Sequence, residues 1–146
     1  MKTRSQTTLL FAAILLFSCT PACKFGASSP TATHKALTEA LKNKDVEGFK
    51  KKLSKTSLKL LELQAKNRQS TLDEILKAEV ESDARTLKER GVPATRNEKI
   101  DGNSATLEVE DSPSQQWKTI YFVKEEGDWK LTLFKDLEEA FKKMGS

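Results

Sequence analysis

Ile100-Asp101-Gly102-Asn103-Ser104-Ala105-Thr106-Leu107-Glu108-Val109-Glu110 is a tight turn followed by regular alternation. Asp101-Gly102-Asn103 supplies hairpin-turn residues, because Gly and Asn enter positive φ at little steric cost. Ala105, Leu107 and Val109 then alternate with Thr106, Glu108 and Glu110, so this strand has one apolar and one wet face. Its hairpin partner is the stretch Ala94 to Ile100. Asp111 to Gln116 is a polar loop containing Pro113. Trp117 to Glu125 is the most apolar strand, with Ile120, Tyr121, Phe122 and Val123 consecutive, which predicts a central place with both faces covered. Glu126-Gly127-Asp128 turns into a last strand, Trp129 to Phe134. A short helix over Asp136 to Met144 closes the chain.

Upstream of Pro93 the period is helical. Leu37, Ala40 and Leu41 follow Ser29-Pro30, a helix start. Asn43-Lys44-Asp45 interrupts, with Asp45 as N-cap of a second, short helix marked by Val46, Phe49 and Leu53. Leu58, Leu61 and Ala65 mark a third. Thr71-Leu72-Asp73-Glu74 has capping-box spacing, and Leu72, Ile75, Leu76, Val80 and Leu87 line the fourth helix. Gly91 and Pro93 end it. Helices first, then a four-stranded antiparallel meander, then a terminal helix make the class α+β, with helices packed on one face of a twisted, curved sheet.

The chain has 146 residues, of which 32% are charged and 37% belong to the AVILMFWYC set. That is the balance of a globular domain. One histidine and two cysteines leave few side chains for a metal site, a His-based triad or a disulfide framework. Such a composition argues against most hydrolases and metalloenzymes.

The first residues read as a processing signal rather than as part of the fold. Lys2 and Arg4 precede an apolar run, Leu9 to Phe17, too short for the roughly 20 residues of a membrane-spanning helix. Leu16-Phe17-Ser18-Cys19 resembles the lipobox of bacterial lipoproteins, in which the cysteine thiol is acylated and becomes the mature N-terminus. Leu16 and Ser18 fit that pattern; Phe17 departs from it. An ordinary signal cut after Ala22 is the alternative. The resemblance implies a signal peptide over 1–18, a lipidated tether over 19–30 and a domain over 31–146. It makes Cys19 the lipid attachment site and the membrane a partner through that anchor. Cys23 is then a second acylation site or a tether residue, and Lys24 to Pro30 a flexible linker. Thr20 rather than Asp after the anchor resembles the pattern that sends lipoproteins to an outer membrane in some Gram-negative bacteria.

Two segments together resemble the nuclear transport factor 2-like superfamily. One is the opening Ala36-Leu37-Thr38-Glu39-Ala40-Leu41-Lys42-Asn43-Lys44-Asp45-Val46-Glu47-Gly48-Phe49. The other is the Gly102-Asn103 hairpin with its later Phe122-Val123-Lys124-Glu125-Glu126-Gly127-Asp128-Trp129-Lys130-Leu131. The similarity spans roughly Thr31 to Phe134 and is greatest to the superfamily's secreted and lipid-anchored bacterial proteins. It implies a cone-like fold with a pocket between the curved sheet and the helices. It implies no single activity, since the superfamily holds enzymes, scaffolds and transport subunits.

Its enzymes place an Asp, Tyr or His in that pocket. His34, the single histidine, reads as a solvated residue at the exposed start of the first helix. Tyr121, the single tyrosine, reads as a core residue or a hydrogen-bond donor into the cavity. No paired His or Cys has metal-ligand spacing, and no Gly-rich phosphate loop is present. Thr31 to Lys66 carries nine lysines against four acids, whereas Asp101 to Ser146 carries six against ten. The basic side is either a solvated helical face or a surface for anionic lipid. From Cys19 onward 23 basic and 21 acidic residues leave +2, too little to point to nucleic acid.

Phe49, Trp117, Tyr121 and Trp129 are the aromatic candidates for a pocket lining, with core packing as the other reading. The expectation is a non-enzymatic, lipid-anchored envelope protein without cofactor. It would bind a small apolar ligand or an envelope protein. The alternatives are a structural protein acting by sheet-face homodimerisation or docking and, further off, a pocket enzyme.

Overall fold

A computed structural model describes residues 29–111 and 114–137. Cys19, Cys23, the signal and most of the tether lie outside them. So does the expected terminal helix after its first turn at 135–137.

Helix α1 runs Pro30–Lys42, with Ser29 as N-cap accepting from the Ala32 N–H at 3.1 Å. Proline suits the first helical turn because no intrahelical partner awaits its missing N–H. Asp45 caps α2, Val46–Lys50, by accepting from the Gly48 N–H at 2.8 Å. Ser54 caps α3, Lys55–Asn67. The longest helix, α4, Leu72–Arg90, starts on the expected box. Glu74 N–H donates to Thr71 Oγ1, and the Thr71 N–H donates back to the Glu74 carboxylate. Gly91, at φ 81°, ends it.

The sheet is a simple antiparallel meander in the order β1-β2-β3-β4. Its strands are β1 Thr95–Asp101, β2 Ser104–Asp111, β3 Gln116–Glu125 and β4 Asp128–Thr132. The α+β class and the strand order are therefore as expected. Register fixes the faces. Ala105 lies opposite Phe122, and Phe122 opposite Leu131, so Leu107, Ile120 and Trp129 share their side of the pleat. That side is closed: Leu107 is 1% exposed, Phe122 2% and Trp129 3%. Thr33 of α1, also buried, donates from Oγ1 to the Trp129 carbonyl at 3.2 Å. A second apolar cluster, Leu37, Phe49, Leu53, Leu61, Leu76 and Val80, joins the helices to one another and meets the sheet cluster through Leu131.

Two expectations need correction. β3 is internal in strand order, but only one of its faces is covered. Tyr121 and Val123 point to the other face and remain half-buried, because the helices pack on the Phe122 side. The space between sheet and helices is filled by leucines, Phe122 and Trp129, and a concavity lies instead on the sheet's opposite face.

Candidate functional site

The open face is built by the alternation that fills the core. Lys99 pairs with Thr106, Thr106 with Tyr121, and Tyr121 with Thr132, giving one transverse row across all four strands. The next row is Asp101, Ser104, Val123 and Lys130. All eight side chains stand on the face away from Leu107 and Phe122. The chain leaving β4 then turns back over this face. It places Lys135 Nζ 4.3 Å from the centroid of the Tyr121 ring. The sheet and this returning segment bound a groove of about 360 Å³, lined by Lys99, Asp101, Thr106, Tyr121, Thr132 and Lys135 among others. That volume is at the small end of the range that holds small organic molecules.

Trp117 lies further along β3 on the same face. The Arg96 guanidinium stacks over its ring at 3.8 Å and donates from Nε to Glu108 at 2.7 Å. Asn97 Nδ2 donates to the same carboxylate at 3.0 Å. These two side-chain donors hold the Glu108 carboxyl below its usual pKa. Asn97 sits at φ 53° where the β1–β2 register shifts, so β1 is kinked and its edge is charged.

The four aromatic candidates do not converge. Tyr121 lines the groove. Trp117 shares its face but stands outside the lining. Phe49 and Trp129 lie in the helical and sheet clusters, at 7% and 3% exposure. The Lys124 ammonium lies 5.7 Å from the Trp129 ring. His34 is not a fully solvated end residue. It is partly covered in α1, and burial lowers its pKa. Sequence reasoning passed over Lys99, Thr106, Thr132 and Lys135. The register of the Gly102-Asn103 hairpin contained the signal for the first two. Nothing local places Lys135 over Tyr121.

Chemically, the groove offers an aromatic ring, hydroxyls and two ammonium groups, with a carboxylate at Asp101. Its lining includes neither His nor Cys. Among the described residues no three His, Cys, Asp or Glu side chains gather as a metal site. No helix among them is long and apolar enough to cross a membrane. The lysines of the helical half are in part neutralised locally: Lys50 pairs with Asp73 at 2.7 Å, Lys66 with Glu62 at 3.2 Å, and Lys55 with Glu126.

No protein-family model matches this chain, and neither does any curated protein. A crystal structure from Campylobacter jejuni, of a protein provisionally named a nuclear transport factor 2-like transpeptidase, superposes with a TM-score of 0.51 at 16% identity. The match covers 73% of this chain and 99% of that one. Helices on one face of a four-stranded meander, with this structural neighbour, give the chain a nuclear transport factor 2-like α+β fold.

Proposed function

We propose that the chain is a non-enzymatic envelope protein, anchored through lipid on Cys19, whose domain binds a small molecule on the open face of its sheet. The observation that carries this reading is the groove under Lys135, with Tyr121 as floor, on a sheet whose other side is filled. An aromatic floor with a few converging polar groups is how small-ligand sites are built. The non-enzymatic part rests on what lines the groove. Its hydroxyls have no histidine or thiol among their neighbours in the lining to act as base or nucleophile.

Docking of a second copy or another envelope protein is the second reading. Trp117 under Arg96 favours it, because Trp and Arg are enriched in protein interfaces.

Native mass spectrometry of residues 24–146, purified gently from an exporting host, tests both. A bound mass that disappears in Tyr121→Ala is expected. A bare monomer removes the ligand reading, and a bare dimer transfers the weight to docking. The anchor is tested on the full chain: Cys19→Ser is expected to move it from the detergent phase to the aqueous phase. Equal partition of the two chains would remove the anchor.

A further inference from the structure

Two apolar stripes stand exposed near the end of the described chain, and the backbone brings their starting points together. Ser57 of α3 accepts from the Leu133 N–H at 3.0 Å, so the segment leaving β4 sets out from the first turn of α3. Phe134 packs against the helical cluster, and a helix begins at 135–137. From that start Leu137, Ala140, Phe141 and Met144 follow at helical spacing, i, i+3, i+4 and i+7. The residues between them, Asp136, Glu138, Glu139, Lys142 and Lys143, are all charged. Leu137, the described member of this stripe, is 50% exposed. On α3, Thr56, Leu60 and Leu63 form the other stripe, next to the buried Ser57 and Leu61. Leu63 is 46% exposed.

We infer that the terminal helix lays Leu137, Ala140, Phe141 and Met144 along Thr56, Leu60 and Leu63 of α3, and that this contact is a second anchor for the segment that walls the groove. Direction selects this occupant over the open face of the sheet. Lys135 faces the Tyr121 ring, and Leu137 lies two residues later, about 200° around a helix. The side that carries the stripe is therefore turned away from the sheet. It is the side of Phe134, which already lies against the helices. Length agrees as well. Leu137 to Met144 makes about 10 Å of helix, as much as Leu60 to Asn67, so the remaining chain reaches past Leu63. A helix this short is marginal in water on its own, and its stability must come from the face it buries. The inference does not depend on a ligand being bound. Its consequence for the groove is a wall held from behind, by Ser57 at one end and by Leu63 further along.

The test is nuclear magnetic resonance of the 24–146 chain. Nuclear Overhauser contacts are expected between the Phe141 ring and the methyl groups of Leu60 and Leu63. Amide exchange at Phe141 and Lys142 is expected to be about tenfold faster in Leu63→Asp than in the parent, because a carboxylate then opposes the apolar stripe. Leu63→Met is expected to keep the parent's rates. Leu63 is exposed, so neither variant removes a core side chain. In Leu63→Asp the Tyr121 signals are also expected to shift, although Tyr121 stands on the open face of the sheet. Equal exchange in Leu63→Asp and parent, or unmoved Tyr121 signals, would overturn the inference. Contacts from Phe141 to Thr106 or Val123 would place the helix on the open face and overturn it too. Contacts found only between differently labelled chains in a mixed sample would make the occupant a second copy, with the same result. The expected contacts together with a bare monomer in native mass spectrometry leave the inference standing and remove the ligand reading. A bound mass without those contacts does the reverse.

Discussion

Leu53 and Leu131 form a parallel bridge that seals the last edge of the sheet. The Leu131 N–H donates to the Lys52 carbonyl at 2.7 Å, and its carbonyl accepts from the Ser54 N–H at 2.9 Å. Strand β4 would otherwise present an open row of backbone groups. The residues between α2 and α3 cover it, and the same junction steers the chain that follows. Ser57 Oγ accepts from the Leu133 N–H at 3.0 Å and from Ser54 Oγ at 2.8 Å. The turn that brings Lys135 back over Tyr121 therefore starts from a buried serine pair.

Ser57→Ala deletes that acceptor at a fully buried position. The Leu133 N–H then loses its partner. A loss of about 1–3 kcal/mol of unfolding free energy is expected, because the buried Ser57 Oγ takes with it the bonds it accepts from both Leu133 and Ser54. Urea unfolding measures it. Hydrogen exchange at Leu133 is expected to accelerate beyond what the global loss explains. Unchanged exchange would detach the serine pair from the returning segment.

His34 predicts a response to mild acid. Burial favours its neutral form, so its folded pKa lies below its unfolded value of about 6.5. As pH falls through the unfolded value, the unfolded chain takes up a proton that the folded chain resists, and stability drops. The loss is complete only below the folded pKa. His34→Gln removes this linkage. Its stability is expected to change less than the parent's between about pH 7 and 5. Urea midpoints across that window decide it. Parallel curves for the two chains would show that the imidazole is not desolvated.

The assignment of faces can be tested by truncation on neighbouring strands. Leu107 is 1% exposed on the helix side of β2, whereas Val123 is only partly buried on the open side of β3. Leu107→Ala is expected to cost about 2–5 kcal/mol, from lost burial and the cavity left behind. Val123→Ala is expected to cost less than about 1 kcal/mol, because the open face already admits water. Similar losses for the two would mean that the open face is covered in solution, as a docked partner or a dimer would cover it.

The contrast between those two residues shows what was legible in the sequence. Local chemistry was readable: the Thr71–Glu74 box, the Asp45 cap, the Gly102-Asn103 turn and the alternation of Ala105, Leu107 and Val109 each depend on a few adjacent residues. Together they were enough for the α+β class and the meander. The run Ile120-Tyr121-Phe122-Val123 misled, because consecutive apolar residues look alike whether one face or both are covered. The candidate site was mostly illegible for a related reason. It depends on contacts far apart in sequence: Lys52 and Ser54 with Leu131, Ser57 with Leu133, and Lys135 with Tyr121. No periodicity encodes these. The aromatic residues attracted notice as single residues, but two of the four serve the core.

Gly48 offers a test in which helix propensity and structure point in opposite directions. In the interior of a helix, Gly→Ala commonly gains about 1 kcal/mol. Here a Cβ on Gly48 would fall 2.2 Å from Asp45 Oδ2. The aspartate would have to swing away and abandon the 2.8 Å bond that its Oδ1 accepts from the Gly48 N–H. Loss of an N-cap costs about 0.5–2 kcal/mol. The two effects nearly cancel, so Gly48→Ala is expected to leave stability unchanged or lower it by up to about 1 kcal/mol. In the Asp45→Ala background the cap is already gone and the clash is removed. There Gly48→Ala is expected to stabilise by about 1 kcal/mol, the full propensity gain. Four urea curves complete the cycle, and the coupling between the two sites should be of the order of the cap itself. Additive effects would mean that Asp45 does not cap α2. The break between α1 and α2 would then be set by Lys44, at φ 53°, rather than by the aspartate that follows it.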